Sequence, residues 1–374
     1  MSEYRICKRC VMDTNGDPDI TFDENGYCNY CTEAILLLEQ EKEREDQQEL
    51  ESVFEKIKQD CKDDPYDCLV GVSGGLDSSY VLYLGHKYGL RMLGVHIDDG
   101  LDTEISQKNV RALCEKAKVD LVTIQPDPEQ YRDLLLSFFK ASVPDLAIPQ
   151  DNLILAALTD AVKKYKLKYL LHGDNLSMES ILQSGNSYTA SDSVHIRAIQ
   201  KQFSGKPIDK LRLTNTFETS ILKRLRKDVI QVYPLNMVDY RFEKVLEELQ
   251  AFCGYEYYGG KHHESVLCRF MQCWYLPVKF GVDKRKSHLS SLIVSGQLTR
   301  QEALAELEHS GYPSKEMEES DRNTLAEFMG IPREEFEQIV ALPPRSHDEY
   351  PKSFLSSKLI PLILNYRKIL RIGI

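Results

Sequence analysis

A seven-residue turn, Ser73 to Ser79, most constrains how this 374-residue chain can fold. It follows the apolar run Cys68 to Val72, which predicts a buried strand, and precedes Tyr80 to Tyr88, whose apolar stripe predicts a helix. A strand, a glycine turn and a helix N-terminus in this order direct backbone N–H groups and the helix dipole at one point, which favours a bound anion. Gly74 and Gly75 allow positive φ and a close approach of backbone to ligand.

The same turn carries side chains that suit phosphate and metal. Its serines offer hydroxyl donors, and Asp77 can hold Mg²⁺ through oxygen. The sequence has no G-x-x-x-x-G-K-[ST] pattern, so the turn is not a Walker loop, and an ordinary serine-rich turn is the alternative. The segment resembles the S-G-G-x-D-S signature of the PP-loop ATP pyrophosphatases, in which the loop holds the β,γ-pyrophosphate of ATP. The ATP ligands implied here are Ser73, Gly74, Gly75, Asp77, Ser78 and Ser79.

Strand and helix patterns alternate from Asp67 to about residue 250, which predicts an α/β fold with a doubly wound, mainly parallel sheet. Four more strands are expected, at 91–97, 120–124, 168–171 and 229–233. Ligands of open α/β sheets bind beyond the carboxyl ends of the strands. The polar clusters after the first, second and fourth strands are therefore expected to converge on one crevice.

Two of these clusters supply further candidate ligands. Those after the second strand, placed to meet the adenosine half of ATP, are Asp98, Asp99 and Gly100, and a plain turn is an equal alternative. Those after the fourth strand, for the α-phosphate or a metal, are Gly173, Asp174 and Asn175. Carboxylates approach a polyphosphate only through a bridging cation, so we expect magnesium here. The candidate magnesium ligands are Asp77, Asp174 and Glu179.

Two C-x-x-C pairs separated by 17 residues predict a zinc ribbon near the N-terminus. The candidate ligands are Cys7, Cys10, Cys28 and Cys31. The segment between them, Asp17 to Gly26, predicts a strand flanked by turns. Four thiolates fill a tetrahedral site, so the metal is expected to be structural, with an iron–sulfur cluster or free thiols as alternatives.

Length and charge set the expected organisation of the chain. We predict a zinc ribbon at 1–35, a charged helical connector at 36–66, an ATP-binding domain at 67–250 and a helical, substrate-binding C-terminal region at 251–374. The stretch from Leu355 to Ile374 predicts a packed or dimerising terminal helix, with a membrane-surface helix as the alternative. A net charge of −11 argues against nucleic-acid binding. Without a secretory signal or an apolar run of about 20 residues, the protein is expected to be cytoplasmic, with no membrane span.

Two polar clusters in the C-terminal region are candidates for chemistry. The first, for substrate orientation and proton transfer, consists of Lys261, His262, His263 and Glu264. The sequence does not distinguish which of the two histidines faces the substrate. The second, suited to an acidic sugar or a phosphate, consists of Lys284, Arg285 and His288, and a charged surface helix is its alternative.

Four stretches together resemble the N-acetyl sugar amidotransferase family, PP-loop enzymes of surface-polysaccharide and nonulosonic-acid biosynthesis. They are 7–14, 73–79, 259–264 and 280–290. The resemblance implies ATP-dependent conversion of an acetamido group of a bacterial surface-glycan sugar, such as an O-antigen, pseudaminic or legionaminic acid sugar, to an acetamidino group. It also implies a PP-loop fold, release of AMP and pyrophosphate, and a separate glutaminase partner that supplies ammonia.

The chemistry of amides supports the need for ATP. An amide carbonyl is a poor electrophile, and adenylation of its oxygen gives an imidate from which AMP can leave. Ammonium is not nucleophilic, so ammonia must be delivered, and no glutaminase module is recognisable in the sequence. The main rival is a PP-loop tRNA sulfur transferase, against which the acidic composition argues, and a second rival is a nucleotide-binding scaffold without turnover.

Overall fold

The computed structural model describes residues 4–45, 49–183, 186–222 and 229–359. Of the terminal helix expected from Leu355 to Ile374, residues 360–374 lie outside the described part of the chain. Within the described ranges, no helix combines the length and the apolar character that crossing a bilayer requires.

Five parallel strands form the central sheet. They are β1 (Cys68–Gly71), β2 (Met92–Ile97), β3 (Asp120–Ile124), β4 (Tyr169–Leu171) and β5 (Ile230–Val232). They lie in the order β3-β2-β1-β4-β5, and each neighbouring pair is parallel. Val70 in β1 pairs with Gly94 on one side and with Leu171 on the other. The predicted strands and the parallel α/β class are therefore confirmed.

The helices are described here in chain order. They are α1 (Asn29–Glu45), α2 (Leu50–Asp60), α3 (Leu76–Lys87), α4 (Glu104–Ala117), α5 (Pro128–Ala141), α6 (Ile148–Tyr165), α7 (Leu176–Glu179), α8 (Ser193–Phe203), α9 (Phe242–Cys253), α10 (Val266–Phe270), α11 (Leu276–Phe280), α12 (Arg285–Val294), α13 (Arg300–Leu307), α14 (Lys315–Met329) and α15 (Arg333–Val340). Turns of π-helix lie at Phe217–Leu222, Met271–Tyr275 and Leu355–Leu359, and turns of 3₁₀-helix at Pro234–Met237 and His347–Glu349.

Alternate residues of β1 face two different apolar cores. Cys68 and Val70 pack with residues of α2, α3 and α4, whereas Leu69 packs with residues of α6. All six residues of β2 are buried, as a parallel strand covered on both faces requires. The sheet is therefore doubly wound, as the sequence predicts.

The direction in which the chain adds strands reverses between β1 and β4, which makes this the switch point of the sheet. The turn after β1 and the turn after β4 meet there. A Cβ atom added to Gly173 would lie 3.3 Å from the backbone nitrogen of Ser78, so only glycine allows this approach without a shift of neighbouring atoms. The sheet thus brings the anion-binding turn and the polar cluster after β4 into contact.

The C-terminal region is helical, as predicted, and shares an apolar core with the preceding part of the chain. Residues of α10, α14 and α15 pack against α5 and α8 in one continuous cluster, with Phe138, Phe270 and Phe336 among its fully buried side chains. A capping box joins Thr299 and Glu302 at the start of α13. The C-terminal helices are therefore fixed to the helices that flank the sheet.

The N-terminal segment packs on α12. The Val11 N–H donates to Ser290 Oγ over 3.2 Å, and Lys286 Nζ pairs with Asp13 over 2.5 Å. These contacts join the first and last of the four stretches that carry the family resemblance.

The strand predicted from Asp17 to Gly26 is wrong. In the described structure this segment forms a single antiparallel bridge, Phe22 to Cys28, instead of a strand. The carboxylate of Asp23 accepts hydrogen bonds from the backbone N–H groups of Asn25 and Tyr27, which fixes a turn. Local side-chain bonding to the backbone therefore outweighs the alternating pattern of the segment.

Candidate active site

The backbone of the turn after β1 forms hydrogen bonds with two tyrosine hydroxyls from a distant part of the chain. Gly74 has φ of 77°, and a Cβ atom there would lie 2.3 Å from Ser106 Oγ. The Tyr255 hydroxyl donates to the carbonyl of Gly74 over 3.0 Å, and the Tyr258 hydroxyl accepts from the N–H of Leu76 over 2.9 Å. The turn is therefore a preorganised loop and not a flexible serine-rich segment.

A cavity of about 210 Å³ opens beside this loop at the switch point. The predicted site residues that line it are Ser73, Gly75, Asp77, Ser78, Gly173, Asp174, Glu179, Lys261, His262 and Glu264. The other described lining residues were not predicted from the sequence, and they are Leu76, Met178, Tyr240, Phe242, Tyr257 and Tyr258. One wall is thus polar and ionisable and the other is largely aromatic.

Asp77 lies at the centre of the polar wall. Its Oδ1 accepts from the hydroxyl of Tyr240 over 2.6 Å and from the side-chain amide of Asn175 over 3.4 Å. Its Oδ2 lies 3.2 Å from Nζ of Lys261, which also lies 2.9 Å from Oε1 of Glu179. Burial lowers the pKa of Lys261, but the two carboxylates outweigh burial and raise the pKa overall. Lys261 is therefore a charged ammonium between two acids.

The two adjacent histidines point in different directions because His262 has φ of 63°. His262 lines the cavity, with its Nε2 3.9 Å from Glu179 and its Nδ1 3.9 Å from Glu264. Burial lowers the pKa of His262 below its ordinary value, although Glu264 opposes this. His263 is turned away from the cavity, with Nε2 3.2 Å from Sγ of Cys273, and burial lowers its pKa to about 4. The structure thus assigns the cavity-facing position to His262.

Glu264 lies directly against the loop. Its Oε1 is 3.1 Å from the position that a Cβ of Gly75 would take. Its Oε2 is buried and has no hydrogen-bond partner among the described residues, and burial raises its pKa. The backbone around it is fixed, because Thr103 N–H donates to its carbonyl over 2.9 Å. A carboxyl group with one unpartnered oxygen at an anion-binding loop is a candidate for binding a ligand.

A buried histidine of β2 contacts the residue that precedes the loop. His96 Nδ1 lies 2.7 Å from the carbonyl of Val72, the residue before the loop, and its Nε2 lies 3.1 Å from Oδ2 of Asp102. The Val72 carbonyl accepts from the Nδ1–H group, and the Asp102 carboxylate lies beside Nε2. Burial lowers the pKa of His96, but Asp102 and the Val72 carbonyl outweigh this and raise it. His96 therefore joins β2 to the base of the loop.

The cluster after β2 lies apart from the cavity lining. Asp99 is buried and accepts from the Tyr131 hydroxyl over 2.7 Å and from the Gln150 amide over 2.8 Å. Asp98 accepts from the backbone N–H of Gly100 over 3.3 Å, as in an Asx turn. Asp99 thus takes a structural role that the sequence left open, and contact of Asp98 or Gly100 with adenosine stays a prediction.

Three other predicted ATP ligands support the loop without lining the cavity. Gly74 faces Ser106, Ser79 is fully buried, and Asn175 caps α7 by accepting from the N–H of Ser177 over 3.0 Å. They hold the residues that do line the cavity.

The three residues of the second C-terminal cluster do not all lie near the cavity. Arg285 is bound to Asp283 and donates to the carbonyls of Glu306 and His309, so its guanidinium is engaged away from the cavity. Arg285 therefore fits the alternative, a residue of a charged surface helix, better than it fits a substrate contact.

Lys284 and His288 lie nearer to the cavity. The rings of His288 and His262 are 5.7 Å apart, and burial, followed by the positive charge of Lys261, holds the pKa of His288 well below its usual range. Burial lowers the pKa of Lys284, while Asp145 opposes the shift. A substrate contact by these two residues stays a prediction.

Four cysteine sulfurs near the N-terminus form a compact cluster. All of them lie within 4.8 Å of one another, with Cys7 and Cys31 3.8 Å apart and Cys10 and Cys28 3.6 Å apart. Tetrahedral zinc with Zn–S bonds of about 2.3 Å places its sulfurs about 3.8 Å apart. Several backbone N–H groups point at these sulfurs, including that of Cys28 at Cys7 over 3.2 Å. The cluster therefore fits one structural zinc ion.

The oxygen donors expected for magnesium are arranged less compactly. Among the described residues, the cysteine cluster alone brings three or more potential metal-ligating side chains within 4.8 Å of one another. Asp77 and Glu179 offer the hard oxygen ligands that Mg²⁺ prefers, but Lys261 lies between them. The donor chemistry fits magnesium.

One family model matches the C-terminal part of the chain. Residues 264–361 match the family model described as "LPS biosynthesis protein WbpG-like, C-terminal domain". This match confirms the family resemblance drawn from the sequence, on the part of the chain that it covers. The search of curated proteins found no match.

Two solved structures are similar over much of the chain. One is the NMN synthetase from Francisella tularensis, with 15% identity, a TM-score of 0.29, and coverage of 62% of this chain and 92% of that one. The other is the NH₃-dependent NAD synthetase from Campylobacter jejuni in complex with the nitrate ion, with 18% identity, a TM-score of 0.30, and coverage of 56% and 96%.

Proposed function

We propose that this protein is an ATP-dependent amidotransferase that converts an acetamido group on a bacterial surface-glycan sugar to an acetamidino group. The observation that carries the proposal is the position of Glu264. It is the first residue of the segment that matches the lipopolysaccharide-biosynthesis domain, and its carboxylate lies against Gly75 of the anion-binding loop. The glycan-related segment and the loop therefore share one cavity.

The loop is suited to hold the pyrophosphate part of ATP. Its serines Ser73 and Ser78 face the cavity, and the N-terminus of α3 begins there. A magnesium ion held by Asp77 and Glu179 would neutralise charge on the departing pyrophosphate. The acetamido oxygen attacks the α-phosphorus, which expels pyrophosphate and leaves the oxygen bound to AMP as an imidate.

His262 is the candidate for the proton transfer that follows. Ammonia adds to the imidate carbon, and the new ammonium group must lose a proton before AMP leaves with its oxygen. Because burial lowers the pKa of His262, its ring is neutral at pH 7 and can accept this proton. Lys261 and Glu264 flank it on the same wall. The sum is acetamide, ammonia and ATP giving acetamidine, AMP and pyrophosphate.

Ammonia delivery is part of the proposal. We expect a separate glutaminase to supply it, as the family resemblance implies. Sulfur transfer to tRNA has no comparable support, because no cysteine is among the described residues that line the cavity.

The experiment measures AMP and pyrophosphate release with a panel of acetamido sugars and ammonium chloride at pH 8. The expected product is about one dalton lighter than the sugar, because NH replaces O. His262→Asn should lower turnover at least about 100-fold, in the range of lost acid–base catalysis. His309→Asn is the matched control, since that side chain is exposed and away from the cavity. Release of AMP that needs neither sugar nor ammonia would contradict the proposal.

A further inference from the structure

The ammonium of Lys261 occupies the space between two candidate metal ligands. Its Nζ lies 3.2 Å from Oδ2 of Asp77 and 2.9 Å from Oε1 of Glu179. The three side chains are only 16%, 20% and 23% exposed, so water screens their charges weakly. The other oxygen of Asp77 is bound by the Tyr240 hydroxyl over 2.6 Å, which fixes the carboxylate in this orientation.

This arrangement differs from a surface ion pair. One ammonium bridges two carboxylates that come from different elements, the start of α3 and the end of α7. These carboxylates also lie at the anion-binding loop, where two negative charges would oppose a polyphosphate unless a cation neutralises them. Lys261 therefore supplies a positive charge that offsets these two carboxylates.

The same two oxygens cannot serve the lysine and a divalent cation together. A magnesium ion binds oxygen at about 2.0–2.1 Å, and it would repel an ammonium that stayed at hydrogen-bond distance from the same atoms. A polyphosphate brings new negative charge with which a displaced lysine can pair. Free metal brings no negative charge with which the displaced lysine could pair. The replacement of Lys261 by free metal at the two carboxylates is therefore unfavourable.

The chain around Lys261 can accommodate such a movement. Gly259, two residues earlier, has φ of 91°, and no atom of the described residues lies within 4 Å of the position that a Cβ would take there. The lysine side chain has four flexible carbon–carbon bonds and no fixed hydrogen-bond geometry.

We infer that Lys261 is a resident cation that excludes free divalent metal from Asp77 and Glu179 and releases these carboxylates only to metal that arrives with a nucleotide. The inference rests on the proposed use of ATP at this loop. It gives Lys261 a role in the order of binding, beyond orienting the sugar. It predicts that magnesium alone binds weakly to this site although the ligands are present.

The experiment uses the full zinc-loaded chain and Mn²⁺ as the probe, without nucleotide, sugar or ammonia. Free Mn²⁺ is measured by electron paramagnetic resonance during titration. Lys261→Met should bind one Mn²⁺ at least about tenfold more tightly than the unmodified chain. Lys261→Arg keeps the positive charge and should bind Mn²⁺ as weakly as the unmodified chain.

Two further variants test where the metal binds. In Lys261→Met/Glu179→Gln, the gain in affinity should disappear, because one of the two carboxylates is neutral. Lys284→Met removes another partly buried lysine, one that pairs with neither carboxylate, and it should change Mn²⁺ affinity less than about threefold. Equal gains in the Lys261→Met and Lys284→Met variants, or no gain in Lys261→Met, would overturn the inference.

The result is separable from the proposed reaction. If no acetamido sugar is converted but Lys261→Met still gains Mn²⁺ affinity, the amidine chemistry fails and the role of Lys261 stands. If the sugar is converted and the Mn²⁺ affinity of Lys261→Met is unchanged, the amidine chemistry stands and the role inferred for Lys261 fails.

Discussion

Replacing Asp321 with alanine should destabilise the C-terminal region by several kcal/mol. Asp321 is 2% exposed and accepts two hydrogen bonds from Arg269, at 2.7 and 2.6 Å, and one from the Tyr312 hydroxyl at 2.9 Å. Arg269 is 8% exposed and also donates to the carbonyl of His263 over 3.3 Å. The variant leaves a guanidinium charge buried without its partner, which costs about 3–5 kcal/mol. At a urea slope of about 3 kcal/mol per M, the midpoint falls by about 1–2 M.

The assay is urea unfolding followed by tryptophan fluorescence. Trp274 is the single tryptophan of the chain, and it stacks on Phe270, one residue after Arg269. Glu319→Ala is the matched control, because that carboxylate is 62% exposed in its pair with Arg333 and should contribute at most about 1 kcal/mol. A loss for Asp321→Ala as small as that of the control would refute the reasoning.

Three other predictions test the loop, its support and the cysteine cluster. Gly74→Ala should abolish ATP binding measured by calorimetry, because its Cβ would clash with a serine hydroxyl, whereas Gly89→Ala, with φ of 76° and open space, should keep it. Because the pKa of His96 is raised in the folded protein, its contribution to stability is complete below about pH 6.5 and is lost as pH rises through the raised pKa. The thermal unfolding temperature of His96→Gln should therefore change less with pH over this range than that of the unmodified chain. Cys28→Ser should lose the single bound zinc measured by mass spectrometry, whereas Cys253→Ser should retain it.

The sheet and the loop could be predicted because their signals are local. Each strand is an apolar run bounded by turn residues, and the turn from Ser73 to Ser79 carries its glycines at fixed offsets. The convergence of the turns after β1 and β4 follows from parallel topology alone. That general rule placed Gly173 beside the loop without any knowledge of side-chain contacts.

The direction of each side chain in the site could not be predicted. His262 and His263 are adjacent and chemically identical, and a left-handed backbone at His262 decides which one lines the cavity. Tyr240 had no signal in the sequence, although it donates to Asp77 over 2.6 Å. The sequence shows several tyrosines close to Tyr257, but their position along one cavity wall depends on long-range packing.

The cysteine cluster and the cavity are linked through two neighbouring helices, α12 and α13, which explains why stretches so distant in sequence occur together. The guanidinium of Arg300 donates to the carbonyls of Cys7 and Cys10 at 3.0 Å each, so α13 is held against the cluster. The neighbouring helix α12 contacts the same N-terminal segment and carries His288, whose ring lies 5.7 Å from that of His262. A metal that fixes the cysteines therefore also fixes the side of the cavity on which His262 lies. The cysteine cluster thus contributes to the geometry of the site although it supplies none of the described residues that line the cavity.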